Sequence, residues 1–430
     1  MPHAAADPAR AREFAADVVF RLQKAGFTAF WAGGCVRDDL LGRTPADYDV
    51  ATSARPEEVR AVFGRGRTLA IGAAFGVITV LGPRDAGQVE VATFRTDEAY
   101  TDGRHPAGVV FSTPEFDAQR RDFTINGLFL DPVTGDVHDY VGGRADLAAG
   151  IVRAIGVPAM RFGEDHLRML RAVRFAAAFG FALDGETRVA IETMRHLVTT
   201  VSAERIAAEL RAMVSRPGRQ RALELLAETG LAAEILPEVA PAAGHGGEAA
   251  ARWISAAAIV DALDEPELGT ALAAMFEHAG HDPLRRAAAR LRLSNREAKL
   301  AAWLLDALAA LGDGDSSESL ASRPWSQVQP WLAHDDAFLL ADLMRARAAG
   351  GRGKSDAAAW VTAQIARPRA ELDPPPLLTG RDLMAAGVPE GKAVGEMLAG
   401  LRARQLDGEI TSRDAALAWV RTAGGDANNK

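Results

Sequence analysis

Asp47 and Asp49 stand two residues apart in a run, 47–52, that reads as a β-strand, so both carboxylates project from one face while Tyr48 points from the other. Two ionised carboxylates this close repel each other unless a cation lies between them. Mg²⁺, which takes one or two carboxylates together with substrate phosphates, meets that need. Upstream, Gly33 and Gly34 end a strand and open a helix, where backbone N–H groups can approach phosphate oxygens. Arg37, in the first turn of that helix, has a guanidinium fork suited to a triphosphate. Alone, the glycines are a tight turn and the Asp-x-Asp a solvated strand end. Together, on strand, turn, helix and strand, they point to phosphoryl chemistry.

Glu90 alternates with apolar neighbours on a predicted strand, 89–95, and can join the aspartates as a third acid; a place on the exposed face of the sheet is the alternative. The stretch from Arg120 to Gly127 packs two cations, an acid and an amide among apolar anchors: Arg121 suits a phosphate, Asp122 and Asn126 suit ribose hydroxyls. Residues 164–175 read as one helix. There Asp165 and Arg168 are neighbours on one face, and Arg171 and Arg174 continue the three-residue step, so the row winds around the axis and its end faces a different region from its start.

The elements that must position these groups are legible in the first ~150 residues. Runs at 27–32, 47–52, 76–81 and 89–95 have strand composition, and helical patterns lie at 9–25, 36–41 and 56–63, the first with Asp7 as N-cap and Pro8 at its first position. After Ile155 the chain turns Ala-, Leu- and Arg-rich with helical periodicity and no convincing strand. The expected fold class is therefore α+β: a head with a small β-sheet, 1–156, then all-α segments divided at loop-like stretches into 157–236, 237–350 and 351–430.

The formal net charge is -8, yet residues 151–221 carry twelve Arg and no Lys against seven acids, a local +5 that leaves -13 for the remainder. Screening confines each charge to roughly 8–10 Å, so a basic segment can hold phosphates on an acidic protein; a solvated helical face explains the same count. No apolar run approaches the ~18 residues that span a bilayer. Residues 1–12 lack the hydrophobic stretch of a signal peptide, and Cys35 is the only cysteine. A reducing, cytoplasmic setting fits these features.

The segments GGCVRDDLLGRTPADYDVAT, RRDFTINGLFLDP and FGEDHLRMLRAVRFAA, in this order, resemble the class II tRNA nucleotidyltransferase and bacterial poly(A) polymerase family. The likeness is specific over residues 29–181 and visible again in RLRLSNREAKL and LLTGRDLMAAGVPEGKAVGEML. It implies a nucleotidyltransferase head of the polymerase β type, followed by helical neck, body and tail that grip tRNA, with CTP and ATP as substrates. It also implies that Asp47 and Asp49 hold the metals, that Gly34, Arg37 and Arg121 contact the nucleotide, and that Asp165, Arg168, Arg171 and Arg174 read the nucleotide and bind phosphate. His166 and Gly127 depart from the family's usual proline and alanine. Asp165 and Arg168 suit base reading on chemical grounds as well. Cytosine and adenine each show an amino donor beside a ring-nitrogen acceptor, whereas a carboxylate only accepts and a guanidinium only donates. U and G present the reverse, and each mismatch leaves buried polar groups unpaired at ~1–3 kcal/mol.

Full CCA addition, A-only addition, CC-only addition and poly(A) synthesis share this core. The uncharged stretch 68–77 favours a tRNA enzyme over a poly(A) polymerase. A non-catalytic RNA-binding protein has no need of Asp47-x-Asp49. A loop at 97–108, with Asp102 and Arg104 near its tip, has the position and composition of a segment that moves when the pocket changes from C to A. Replacing 98–108 by a short Gly-Ser turn should leave addition of two cytidines and stop before adenosine; completion of CCA by that variant refutes the switching role.

Overall fold

The computed structural model describes residues 7–97, 109–242, 246–264, 266–311 and 319–427. The loop tip expected to carry Asp102 and Arg104 lies outside the described residues.

Helix α1 (Pro8–Lys24) begins as its residues dictate: the Asp7 carboxylate accepts from the amides of Ala9 and Arg10, and Pro8 supplies the first helical φ. After it come β1 (Ala29–Ala32), α2 (Gly34–Leu40), β2 (Asp49–Thr52), α3 (Pro56–Phe63), β3 (Thr68–Leu69), β4 (Val77–Leu81) and β5 (Gln88–Thr93). Two short strands, β6 (Arg95–Asp97) and β7 (Val109–Phe111), pair only with each other. Helix α4 (Pro114–Gln119) and a 3₁₀ turn (Thr124–Asn126) lead to β8 (Leu128–Leu130), β9 (Val137–Asp139) and α5 (Gly143–Ala149).

The sheet has the order β3-β4-β5-β2-β1-β8-β9. Its one parallel pair, β2 with β5, decides the chemistry of the head, because the register sets Asp49 opposite Glu90. Partners in register share a face, so the two carboxylates lie side by side. Phe30, Phe94 and Phe129 cluster with ring centroids 5.9–6.3 Å apart and are buried. At ~1.5–3 kcal/mol for each fully buried large side chain, this cluster is a principal hold on the short strands.

The rest of the first unit is mainly helical: α6 (Pro158–Glu164), α7 (Leu167–Phe179), α8 (Gly185–Met194), α9 (Ala203–Val214), α10 (Arg219–Glu228) and α11 (Leu231–Ile235). The chain divides into two units, Met1–Gly246 and Gly247–Lys430. Among its described residues the second runs from a helix at Glu248–Ala262 to one at Arg413–Ala427 with no strand. Leu378, Leu383, Val388, Leu401, Ile410 and Val420 form a core within it. No helix among the described residues is long and apolar enough to cross a membrane.

Three local expectations are corrected. Asp47 lies in the bend before β2, not on the strand, which starts at Asp49. A short strand, β11 (Ala182–Leu183), pairs in parallel with β10 (Ile151–Val152) and so lies where only helix was expected. The helix expected over 164–175 is broken: α6 ends at Glu164, Asp165 takes an extended backbone (φ -152°), and α7 starts at Leu167. The break has a cause. The Asp165 carboxylate accepts from Leu167 N–H at 3.1 Å and so starts the second helix in place of a helical hydrogen bond.

Gly143 packs so closely on the Thr124–Asn126 turn that a Cβ there would lie 2.2 Å from the Thr124 carbonyl oxygen and 2.9 Å from Leu128. Gly143→Ala should therefore cost about 1–3 kcal/mol through overpacking, seen as a lower urea midpoint. Gly163→Ala, in open space within α6, should be neutral or stabilising by up to ~1 kcal/mol. Equal midpoints for the two variants contradict this reading.

Candidate active site

Residues from the strand ends, the α4–β8 segment and the α6–α7 break surround a cleft of about 390 Å³ in the first unit. Gly33, Gly34 and Arg37 line it from the β1–α2 turn, and Asp49 from β2. Arg120, Arg121, Asp122 and Asn126 line it from the middle segment, and Asp165, Arg168, Arg171 and Arg205 from the helices. Gly33 must be glycine here: its φ is +74°, and a Cβ would stand 2.6 Å from Arg121 Nη1.

The acidic wall is electrostatically loaded. Withdrawal from water and the charges of Asp47 and Glu90 push the Asp49 carboxyl up to about 6, against the pull of Arg121. The charges of Asp47, reaching from the bend, and of Glu90 thus both bear on Asp49.

The basic wall is held by acids behind it. Asp117 on α4 accepts from Arg120 Nε at 2.8 Å and from Arg121 Nη2 at 3.1 Å, and Arg121 Nη1 donates to the Asn126 carbonyl at 3.3 Å. Burial alone would raise the Asp117 carboxyl; the two guanidiniums reverse this and hold it below its ordinary value. Arg37 is buried, donating to Asp38 at 2.7 and 2.8 Å and to Asn126 Oδ1 at 2.6 Å, with its guanidinium 4.5 Å over the Phe179 ring.

Asp122 and Asn126 behave differently from their expected ribose-binding part. Asp122 is buried and accepts from Phe123 N–H, Asn126 Nδ2 and both Nε and Nη2 of Arg171, at 2.6–3.0 Å. Burial would raise its carboxyl too, but the charge of Arg171 and these hydrogen bonds hold it low. A carboxylate has about four acceptor sites, so little capacity is left for a ribose. The two residues brace the arginines instead.

The helix side also departs from expectation. Asp165 and Arg168 both face the cleft, but each is paired elsewhere. Arg168 donates to Glu164 and to the carbonyls of Arg161 (3.0 Å) and Arg120 (3.3 Å), while Asp165 is gripped by Arg205 at 2.7 and 3.2 Å. Arg174 does not line the cleft. It is buried, with Nε 2.6 Å from Glu209 Oε2, and burial lowers its pKa despite that partner. Sequence reading assigned no part to Asp117, Glu164 or Arg205. Asp117 was findable, since an acid three and four residues before two arginines has the spacing of an ion pair across one helical turn. Arg205 carries no local signal.

Ionised Asp49 is disfavoured in the folded chain, since its carboxyl titrates near 6 against an ordinary 3.8. The resulting cost is absent below about pH 4, grows as pH rises to about 6, and is constant above. Asp49→Asn should therefore stabilise the protein in chelator at pH 8, by the order of 1 kcal/mol after discounting for water in the cleft, and have little effect near pH 4. A lower melting temperature than wild type at pH 8 contradicts the assignment.

Comparison with known proteins agrees with this geometry. Residues 29–153 match the poly A polymerase head domain, and residues 180–243 match the probable RNA and SrmB-binding site of polymerase A. The chain is 42% identical over 219 residues to the CCA-adding enzyme of Geobacillus stearothermophilus, covering 51% of this chain and 53% of that protein. It is 41% identical to the CCA-adding enzyme of Lactobacillus johnsonii over 219 residues, covering 51% and 54%. The chain thus spans about half the length of the curated relatives it matches. The crystal structure of the Bacillus stearothermophilus CCA-adding enzyme in complex with CTP superposes with a TM-score of 0.75 at 30% identity, over 97% of this chain and 99% of that one. With a matching head, a matching RNA-binding segment and a likeness in fold that runs almost end to end, this chain belongs to the family of CCA-adding enzymes and poly(A) polymerases.

Proposed function

We propose that this chain adds cytidine and adenosine to the 3′ end of tRNA without a nucleic-acid template, building or repairing CCA from CTP and ATP in the cytoplasm. One observation carries the reading: a single cleft presents Asp49, with Glu90 beside it in register, and also the base-sized edge of Asp165 and Arg168. The similar crystal structure at 30% identity is a complex with CTP, which supports nucleotide binding in such a cleft. Residues 1–156 are then the catalytic head, 157–236 the neck, 237–350 the body and 351–430 the tail.

The acids fit a divalent cation. The charges of Asp47 and Glu90 at Asp49 are not offset by Arg121, as the raised Asp49 carboxyl reports. Among the described residues no group of three His, Cys, Asp or Glu side chains is placed to hold a metal ion, so the chain offers a cation two acids rather than a full set of ligands. Mg²⁺ suits this arrangement, because it takes one or two carboxylates and completes its shell with water and substrate phosphates. Held by Asp47 and Asp49, with Glu90 as the third acid, the ion would supply Lewis-acid activation and charge neutralisation to nucleotidyl transfer.

The chain's own groups do the remainder. The Gly34 amide and the guanidiniums of Arg120 and Arg121 receive the triphosphate, while Arg37, Asp122, Asn126 and Arg171 fix the wall behind it. Asp165 accepts from the amino group of C or A, and Arg168 donates to the adjacent ring nitrogen. Because both partners are already oriented, a U or G meets them with like groups opposed, and neither can turn away without breaking a charged hydrogen bond.

The test is incubation of the full chain with tRNA lacking its 3′ terminal nucleotides and each labelled nucleotide in turn. C followed by A is expected; A alone, C alone or a long A tail selects another activity of the family. Asp47→Ala and Asp49→Ala should each reduce incorporation at least ~10³-fold, with tRNA affinity within about twofold of wild type, because the metal serves chemistry more than docking. Substantial turnover by either folded variant overturns the metal assignment.

A further inference from the structure

Arg205 stands on α9, some forty residues from the α6–α7 break, yet its guanidinium forks onto the Asp165 carboxylate: Nη2 to Oδ2 at 2.7 Å and Nη1 to Oδ1 at 3.2 Å. Both side chains are largely withdrawn from solvent, with 25% and 17% of their surface exposed. One turn further along α9, Glu209 grips Arg174 of α7 at 2.6 Å. Two charged clamps thus fasten α9 along α6–α7, and the first of them ends at the cleft.

Asp165 needs such a clamp. It sits at a helix break, where its extended backbone gives the side chain no neighbouring helical turn to lean on. The adjacent ring turns elsewhere, with His166 Nδ1 2.8 Å from Thr200 Oγ1. Apart from Arg205, the hydrogen bond given to the Asp165 carboxylate is that of Leu167 N–H, and it touches Oδ1 alone. A carboxylate held by one oxygen can swing; one held through both oxygens by a planar fork has a fixed plane and a fixed set of free lone pairs.

From this geometry we infer that Arg205 is a specificity-determining positioning residue: it fixes the plane of Asp165 so that its remaining acceptor site, on Oδ2, points at the amino group of an incoming cytosine or adenine. The inference rests on the base-reading part proposed above for Asp165. Arg205 acts through Asp165 and makes no bond in the reaction. A guanidinium committed to the carboxylate through both Nη atoms is a poor ligand for a triphosphate, and this separates it from Arg120 and Arg121.

The experiment compares full-length wild type with Arg205→Ala, Arg205→Lys, Arg205→Gln and Asp165→Ala, using tRNA lacking its terminal nucleotides and CTP, ATP, UTP or GTP. Arg205→Ala should lower the CTP-to-UTP and ATP-to-GTP ratios of kcat/KM about tenfold or more, the share of a charge-assisted hydrogen bond. Arg205→Lys, which keeps the charge but loses the fork, should recover part of each ratio and Arg205→Gln less. Unchanged ratios with a uniform fall in kcat mean a merely structural part and overturn the inference. An equal rise in KM for all four nucleotides means a phosphate contact and overturns it as well. If Arg205→Ala does not fold, as judged by circular dichroism, the Lys and Gln variants decide by the same ratios. Asp165→Ala separates the two levels: if it discriminates like wild type, the base-reading proposal itself fails, whereas relaxed Asp165→Ala beside a discriminating set of Arg205 variants refutes the positioning part alone.

Discussion

Arginine paired with carboxylate in places largely closed to water is the interaction on which the first unit depends. Arg171 on Asp122 ties α7 to the segment after α4, Arg120 and Arg121 on Asp117 close the wall of the cleft, and Arg174 on Glu209 ties α7 to α9. Such pairs add little net stability over apolar residues of the same shape, but losing one partner strands a buried charge at ~3–5 kcal/mol. Their value lies in direction. Each pair admits a narrow range of geometries, so the helices can approach the sheet in one register.

The same pairs set the electrostatics of the cleft. Arg37, Arg120, Arg121 and Arg171 are each matched by an acid or an amide oxygen of the protein itself, so the positive wall is held in place before a nucleotide arrives. The acidic wall is the opposite case. Among the described residues Asp49 has no hydrogen-bonding cation of its own, and it is pressed upward by burial and by its acidic neighbours. Stability is given up at the point where a cation and phosphates would restore it, a common trade at catalytic centres.

Legibility in the sequence followed the range of each interaction. The Gly33-Gly34 turn and the cap at Asp7 were readable because their geometry lies within a few residues. The neighbouring position of Glu90 was readable only as a possibility, since it depends on the parallel pairing of β2 with β5. The helix break at Asp165 was not. Periodicity across 164–175 is helical throughout, and the break is held by Leu167 N–H and by Arg205, forty residues away on a helix with an unremarkable pattern. The wound row sets Arg174 apart from the start of the helix, as found, but carries no sign of Glu209, which comes from another helix and draws the guanidinium into the interior. Asp122 has the right chemistry for a ribose, but Arg171, from another element, together with Asn126 and the Phe123 amide takes up its acceptor sites.

The central claim is that one cleft holds both the chemistry and the choice of base. A crystal structure of the full chain with a non-reactive CTP analogue and Mg²⁺ tests it most directly. The account predicts the cytosine amino group on the Asp165 carboxylate, the ring nitrogen on Arg168, and the triphosphate between Arg121 and Asp49. A base turned to solvent, or a triphosphate lying away from Asp49, would contradict it.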